Sequence, residues 1–286
     1  MDERSPLAPR AVARDDRRRC FILTCGRTGS TLLAAILADC GAEFGMPAPL
    51  DWDASGGDLE HRDLQSAARW LARAYTISPE KPELGWRRYM WSIYRSRGKR
   101  KLRHVLAQAR YLKCVDLDLT VYPAVQLGYR PSIVLSYRRF EDATISGSLT
   151  SGNSDMSLSA RRYNRIYRNG LLQLSTFGGC AIGFDQLTDP ADTSWAEPLA
   201  GATGIAAAQL VEARGRRLKP LVHTATTEIL DRAAWHTFEQ VDALRGIAVA
   251  SSAPAVRFAS ARKVAAPASQ FAGGSRLAGG SQFAGD

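Results

Sequence analysis

The sequence predicts an α/β protein, a central parallel sheet flanked by helices, and three observations predict it. Apolar runs of four to six residues alternate with longer segments of helical period between residues 20 and 250, the alternation that assembles parallel sheets from strand and helix units. The first run leads directly into a glycine-containing turn, Gly26-Arg27-Thr28-Gly29, and a helical pattern follows it. A later run ends on an arginine, Arg138, ahead of another helical pattern.

The first strand is expected over 20–24, and the helix after the turn carries Leu33, Ile36, Leu37 and Cys40 on one face before Gly41 stops it. Helical periods fit 59–75 and 101–110, whereas 78–96 is ambiguous. Strands are expected over 111–115 and 132–137, with a helix over 120–127 between them that ends at Gly128. A helix holding Ser146 comes next, then a helix over 158–175, a strand over 181–184 and a helix over 227–244. Residues 1–19 mix charge with proline and read as a disordered arm. Residues 251–286 are rich in Ala, Gly and Ser, close on the near-repeat SQFAGG-SRLAGG-SQFAGD, and read as a low-complexity disordered tail. One domain over 20–250 is left.

With 286 residues, 45% of them hydrophobic and 23% charged, the chain can bury a sizeable core. No apolar run approaches the roughly 20 residues that cross a bilayer, and the first 19 lack a secretory apolar stretch, so a cytoplasmic protein outside the membrane is expected. The five cysteines are odd in number and scattered, which argues against a disulfide framework or a zinc site. The net charge of +10 is concentrated: ten basic residues and no acid lie between Trp86 and Lys113. Such a field attracts anions, whether nucleic acid, a membrane surface or a charged nucleotide. Its aromatics, Trp86, Tyr89, Trp91 and Tyr94, are expected in the core, and most of its arginines on a solvated rim.

The turn after the first strand has the chemistry of a phosphate cradle. Gly26 and Gly29 let the backbone approach an anion, Thr28, Ser30 and Thr31 supply hydroxyls, and Arg27 supplies a delocalised charge at a helix start. A nucleoside-triphosphatase loop would carry lysine directly after the last glycine, and here Ser30 follows Gly29, which weakens an ATP-hydrolysing reading. Eight residues after Arg138 stands Ser146, and an arginine at a strand end can converge with a serine two helical turns on upon one phosphate. Two separated anion sites imply a ligand with two separated phosphates.

This pairing resembles the sulfotransferases that use 3′-phosphoadenosine-5′-phosphosulfate (PAPS). Over roughly residues 20–205, the segments Gly41-Ala-Glu-Phe-Gly-Met-Pro47, Gly85-Trp-Arg-Arg-Tyr-Met-Trp91 and Tyr137-Arg-Arg-Phe-Glu-Asp142 are similar to the bacterial trehalose sulfotransferase-like group. The resemblance implies a P-loop-like three-layer sandwich. It also implies PAPS as co-substrate, no metal, and sulfuryl transfer to a hydroxyl, or secondarily an amine, of a carbohydrate, glycolipid or natural product. A small-molecule or glycan acceptor is then the partner rather than nucleic acid, and a homodimer is left open.

By the same resemblance Gly26, Arg27, Thr28, Gly29, Ser30 and Thr31 hold the 5′ end. Arg138 and Ser146 hold the 3′-phosphate, Phe184 stacks on adenine, and Lys113 contacts the sulfuryl group; Arg214, Arg216 and Arg217 fall on a basic segment that closes over the 3′-phosphate in relatives. Two departures concern the base: Ala48-Pro49 stand where trehalose-type enzymes carry a glutamate, and Val115 where the aryl enzymes carry histidine. Asp51 is the first substitute, followed by Asp53, Glu43, His61, Asp116 and Asp118. The competing readings are an ATP-dependent P-loop kinase and a basic nucleic-acid-binding module.

Overall fold

A computed structural model describes residues 17–46, 59–77, 85–151, 155–217 and 228–252. Phe21, Ile22 and Leu23 are fully buried in β1 (Arg18–Thr24), the kind of continuous apolar run that a strand covered on both faces requires. With β2 (Tyr111–Val115), β3 (Arg130–Tyr137), β4 (Gly179–Gly183) and β5 (Ala248–Val249) it forms a five-stranded sheet of order β2-β1-β3-β4-β5. The first four strands run parallel. The expectation of a wholly parallel sheet is corrected at β5, which pairs antiparallel with β4. Two residues are too short a run to give a periodic signal.

Ten α-helices are described: α1 (Ser30–Asp39), α2 (Arg62–Thr76), α3 (Gly85–Gln108), α4 (Val121–Gln126), α5 (Phe140–Ser151), α6 (Met156–Phe177), α7 (Phe184–Thr188), α8 (Ala196–Thr203), α9 (Ala207–Arg217) and α10 (Arg232–Asp242). A 3₁₀ turn over Leu117–Thr120 precedes α4. Side chains alternate across the sheet. Phe21, Leu23, Ile133 and Leu135 join Leu64, Leu102, Tyr167 and Val241 in one core, while Ile22, Val134 and Ile182 join Leu37, Leu199 and Leu210 in the other. Helices therefore cover both faces.

Several boundaries move for identifiable reasons. Arg18 and Arg19 lie in β1 rather than in an arm, because their guanidiniums find backbone carbonyls: Arg19 donates to the buried Leu106 O at 2.9 and 2.7 Å, and Arg18 to the exposed Gly201 O at 2.8 Å. At the other end Ser251 and Ser252 donate to Thr176 O and Ser175 O at the end of α6, so the fold extends into the expected tail. From Gly85 on, the ambiguous stretch is helical and continuous with the helix expected over 101–110. Gly98 interrupts the pattern in sequence but serves packing, since a Cβ there would lie 2.7 Å from Leu71 Cγ of α2.

The connections decide where a ligand can bind. From β1 the chain crosses to β2 on one side, then returns past β1 to β3 on the other. Open parallel sheets bind ligands beyond the carboxyl ends of the strands at such a reversal.

A candidate anion site and the cleft beside it

The turn at the reversal holds three consecutive demands on the backbone. Gly26, Arg27 and Gly29 have φ of 92°, 57° and 79°, all left-handed. For the arginine that conformation costs on the order of 1–2 kcal/mol, and such strain collects at ligand-binding turns. Gly29 precedes α1 without a side-chain cap, and its carbonyl accepts from Leu33 N at 2.9 Å. The amides of Ser30, Thr31 and Leu32 thus belong to the first turn, where no intrahelical acceptor exists and the helix dipole is positive. Arg27 and Thr31 are exposed, and Ser30 is buried.

Thr28 has a different task from the one its sequence position suggests. It is fully buried, its hydroxyl lies 2.7 Å from Thr24 Oγ1 and 3.3 Å from Ser136 Oγ, and its carbonyl accepts from Ser136 Oγ at 3.2 Å. Thr24 Oγ1 also accepts from Gly26 N at 3.0 Å. This hydroxyl knot fixes the turn to the ends of β1 and β3, so the Thr28 side chain holds the turn's backbone instead of facing solvent.

Register brings the next two groups together. Tyr137 of β3 pairs with Gly183 of β4, so the residues that follow them, Arg138 and Phe184, emerge side by side. The Arg138 guanidinium carbon sits 4.3 Å from the Phe184 ring centroid. A Cβ on Gly29 would meet Phe184 Cδ2 at 2.4 Å, so the ring also lies against the turn. Burial pulls the Arg138 pKa below the usual guanidinium range; Asp142 opposes this, and the charge of Arg27 lowers it further. The arginine of the turn after β1 and the arginine that follows β3 therefore sense each other. Ser146 is half-buried on α5, one helical turn beyond Asp142 and on the same face.

On the other side of β1 the charges are paired. Lys113 is buried in mid-strand, and its Nζ donates to Thr31 Oγ1 at 3.1 Å and lies 3.5 Å from Glu60 Oε1. Glu60 is buried too and accepts from Gln65 Nε2 at 2.7 Å. Glu60, Gln65, Ala68, Arg69, Val115, Asp116 and Arg162 line a cleft of ≈ 200 Å³. Val115 ties it to the turn, since a Cβ on Gly26 would lie 4.0 Å from Val115 Cγ2. Glu60 was not legible in the sequence. A lysine at the centre of a strand calls for a buried acidic partner, but nothing singles out one of 28 acids.

The expected bases fare unequally. Asp51 and Asp53 lie outside the described residues. Glu43 is exposed, and its carbonyl accepts from Arg110 N and Tyr111 N at the start of β2. His61 is buried and caps α2, with Nδ1 accepting from Asp63 N at 3.2 Å and Nε2 3.4 Å from Gln108 Oε1; both ring nitrogens serve the fold. Burial raises the Asp116 pKa, but hydrogen bonds and charge from Arg162 and Arg165 outweigh it and hold the carboxyl below the usual range. Arg162 Nε and Nη2 donate to it at 3.1 and 2.6 Å, and Arg165 also pairs with it. A carboxylate so stabilised is a weak base. Asp118 is raised by burial and accepts from Asn169 Nδ2 at 2.9 Å.

Other basic residues are committed to the fold. Arg214 is buried, stacks on Trp195 and donates to the carbonyls of Asp189 and Pro190 at 2.8 and 3.0 Å. Arg216 pairs with Glu212, and Arg217 binds Asp39 at 2.6 and 2.8 Å. On α3, Arg97 stacks on Trp70 and Arg95 on Trp91, and Trp70 meets Tyr94 at 5.4 Å. The expectation of core aromatics is corrected for Trp86 and Tyr89, which are 59% and 67% exposed because the start of α3 extends beyond its contact with α2.

Among the described residues all five cysteines are free thiols, no cluster of His, Cys, Asp and Glu could hold a metal ion, and no helix is long and apolar enough to cross a membrane. In comparisons with family models, curated proteins and solved structures, nothing matches this chain. Fold and site together define an α/β protein with a left-handed, glycine-containing turn at the reversal point of its sheet.

Proposed function

We propose that this protein is a PAPS-dependent sulfotransferase with a P-loop-like nucleotide fold, transferring a sulfuryl group to a hydroxyl of a small acceptor. The observation that carries the reading is the meeting of Arg27, Arg138 and Phe184 at one strand edge, two cations and an aromatic face beside a left-handed turn. A doubly phosphorylated adenine nucleotide suits that set: its 5′ end at the turn and α1 amides, its 3′-phosphate between Arg138 and Ser146, its base against Phe184.

Lys113 distinguishes this reading from an ATP-dependent kinase. In the triphosphatase motif the hydroxyl two residues after the last glycine binds magnesium. Here that residue is Thr31, and its hydroxyl accepts from the Lys113 ammonium at 3.1 Å. The lysine supplies the positive charge in that place.

In the transfer, the acceptor oxygen attacks sulfur in line while the bond from sulfur to the 5′-phosphate oxygen breaks. The electron pair of that bond stays on the phosphate oxygen, where Arg27 and the amides of the turn stabilise it. The acceptor proton passes to a carboxylate within reach, and Glu60 at the cleft wall is the described group best disposed to take it. Lys113 beside it then interacts with both the carboxylate and the sulfuryl side of the turn.

Thermal-shift titration with 3′,5′-adenosine bisphosphate, ATP with magnesium, and a short oligonucleotide tests the assignment, because a ligand selective for the native state raises Tm by mass action. The bisphosphate is expected to stabilise most. Stabilisation by ATP alone would favour the kinase, and by the oligonucleotide alone a nucleic-acid module.

A further inference from the structure

The cleft beside the turn contains a charge that is paired with no described residue. Glu60 faces Lys113, Asp116 faces Arg162 and Arg165, and Asp118 lies 3.6 Å from Arg165. These carboxylates thus have their cations within the protein. Arg69 on α2 lines the same cleft, is exposed, and has no partner among the described residues. The stem of α2 below it is rigid: Leu64, Ala67, Ala68 and Leu71 are buried against the core, which fixes the direction from which Arg69 approaches.

We propose that this cleft binds an acceptor that carries a single anionic group besides the hydroxyl to be modified, with Arg69 as the residue that selects it. The inference rests on the sulfuryl-transfer reading and deepens it. The dimensions suit a small molecule, since the cleft measures ≈ 200 Å³. The polarity suits a hydroxylated one: Glu60 Oε1 faces the Lys113 side, and Gln65 gives its amide hydrogen to Glu60 Oε2, which leaves its own carbonyl oxygen as an acceptor for a second hydroxyl. A guanidinium at the mouth adds planar, bidentate recognition of a carboxylate or phosphate. Arg69 gives an anionic acceptor a cationic partner that a neutral one does not engage, and this attraction works against the repulsion from the nucleotide's own negative charge at the adjacent turn.

Matched probes test this on the full chain with saturating 3′,5′-adenosine bisphosphate: methyl glucoside against glucuronate, and 4-hydroxybenzyl alcohol against 4-hydroxybenzoate, by saturation-transfer NMR and calorimetry. In at least one pair the anionic member is expected to bind about tenfold more tightly, the size of one charge-assisted contact. Arg69→Ala should abolish that preference and Arg69→Lys should retain part of it. Equal binding within both pairs, no binding by either anionic probe, or a preference that survives Arg69→Ala would overturn the proposal. Bisphosphate titration separates the two levels: a protein that binds the bisphosphate without charge preference refutes the acceptor inference alone, and one that does not bind it removes both readings.

Discussion

The two sides of β1 handle charge in opposite ways. Toward β3 and β4, Arg27 and Arg138 follow separate strands, the charge of one acts on the other, and the Arg138 guanidinium lies over the Phe184 ring. Toward β2, Glu60, Asp116 and Asp118 are each matched by a cation from another element. On the β2 side these internal pairs line a cleft, whereas on the other side two cations and an aromatic ring lie beside the turn. The contrast teaches that net charge, +10 for this chain, says little about binding until the pairs made within the fold are subtracted.

The largest effect that would break this contrast is expected at Arg27. If its contact strengthens as charge develops on the leaving oxygen, Arg27→Ala lowers kcat by about 10²–10³ with the donor saturating, the usual cost of removing one such group; an unchanged kcat would assign Arg27 to simple binding. Gly29→Ala comes next. The added Cβ would have to displace Phe184 from 2.4 Å and occupy φ 79°, so bisphosphate Kd in calorimetry should rise more than tenfold. Arg138→Ala should raise the same Kd about tenfold with kcat little changed, and equal losses of both would contradict a role confined to the 3′-phosphate.

On the paired side the readout is stability. Asp116→Asn should lower unfolding free energy at pH 7 by about 1–3 kcal/mol, since charged-group hydrogen bonds to Arg162 and Arg165 are lost. Because the folded carboxyl is held below its ordinary value of 3.8, its contribution is complete above that pH and is lost as the pH falls through the depressed value. Asp118 has the opposite sign: burial raises it above 3.8, so its contribution is present below that pH and is lost as the pH rises through the raised value. Asp118→Asn is therefore expected to leave the urea midpoint at pH 7 unchanged or higher. The smallest effect belongs to Arg217→Ala, which removes an exposed pair with Asp39 and should cost below about 1 kcal/mol without altering bisphosphate affinity.

The glycine turn after β1 and the arginine after β3 were legible because their signals are local. Glycines flanking Arg27, a hydroxyl run at a helix start, and Arg138 closing an apolar strand can each be read within a few residues. The matching of Tyr137 with Gly183, which sets Arg138 against Phe184, is a matter of register between strands and has no local trace. Thr28 could be read as a phosphate donor because its burial between Thr24 and Ser136 joins residues more than a hundred positions apart. Arg214, Arg216 and Arg217 looked alike in sequence, yet one is buried on backbone carbonyls and the others pair with Glu212 and Asp39.

By itself the sequence determined the strand and helix alternation, the position of the glycine-containing turn and the absence of the triphosphatase lysine after Gly29. Periodicity and turn chemistry are carried by neighbouring residues. Tertiary structure alone decided which charges remain for a ligand, because pairing depends on which elements pack together. Only packing sets the Lys113 ammonium on Thr31 and Glu60, and leaves Arg69 facing the cleft.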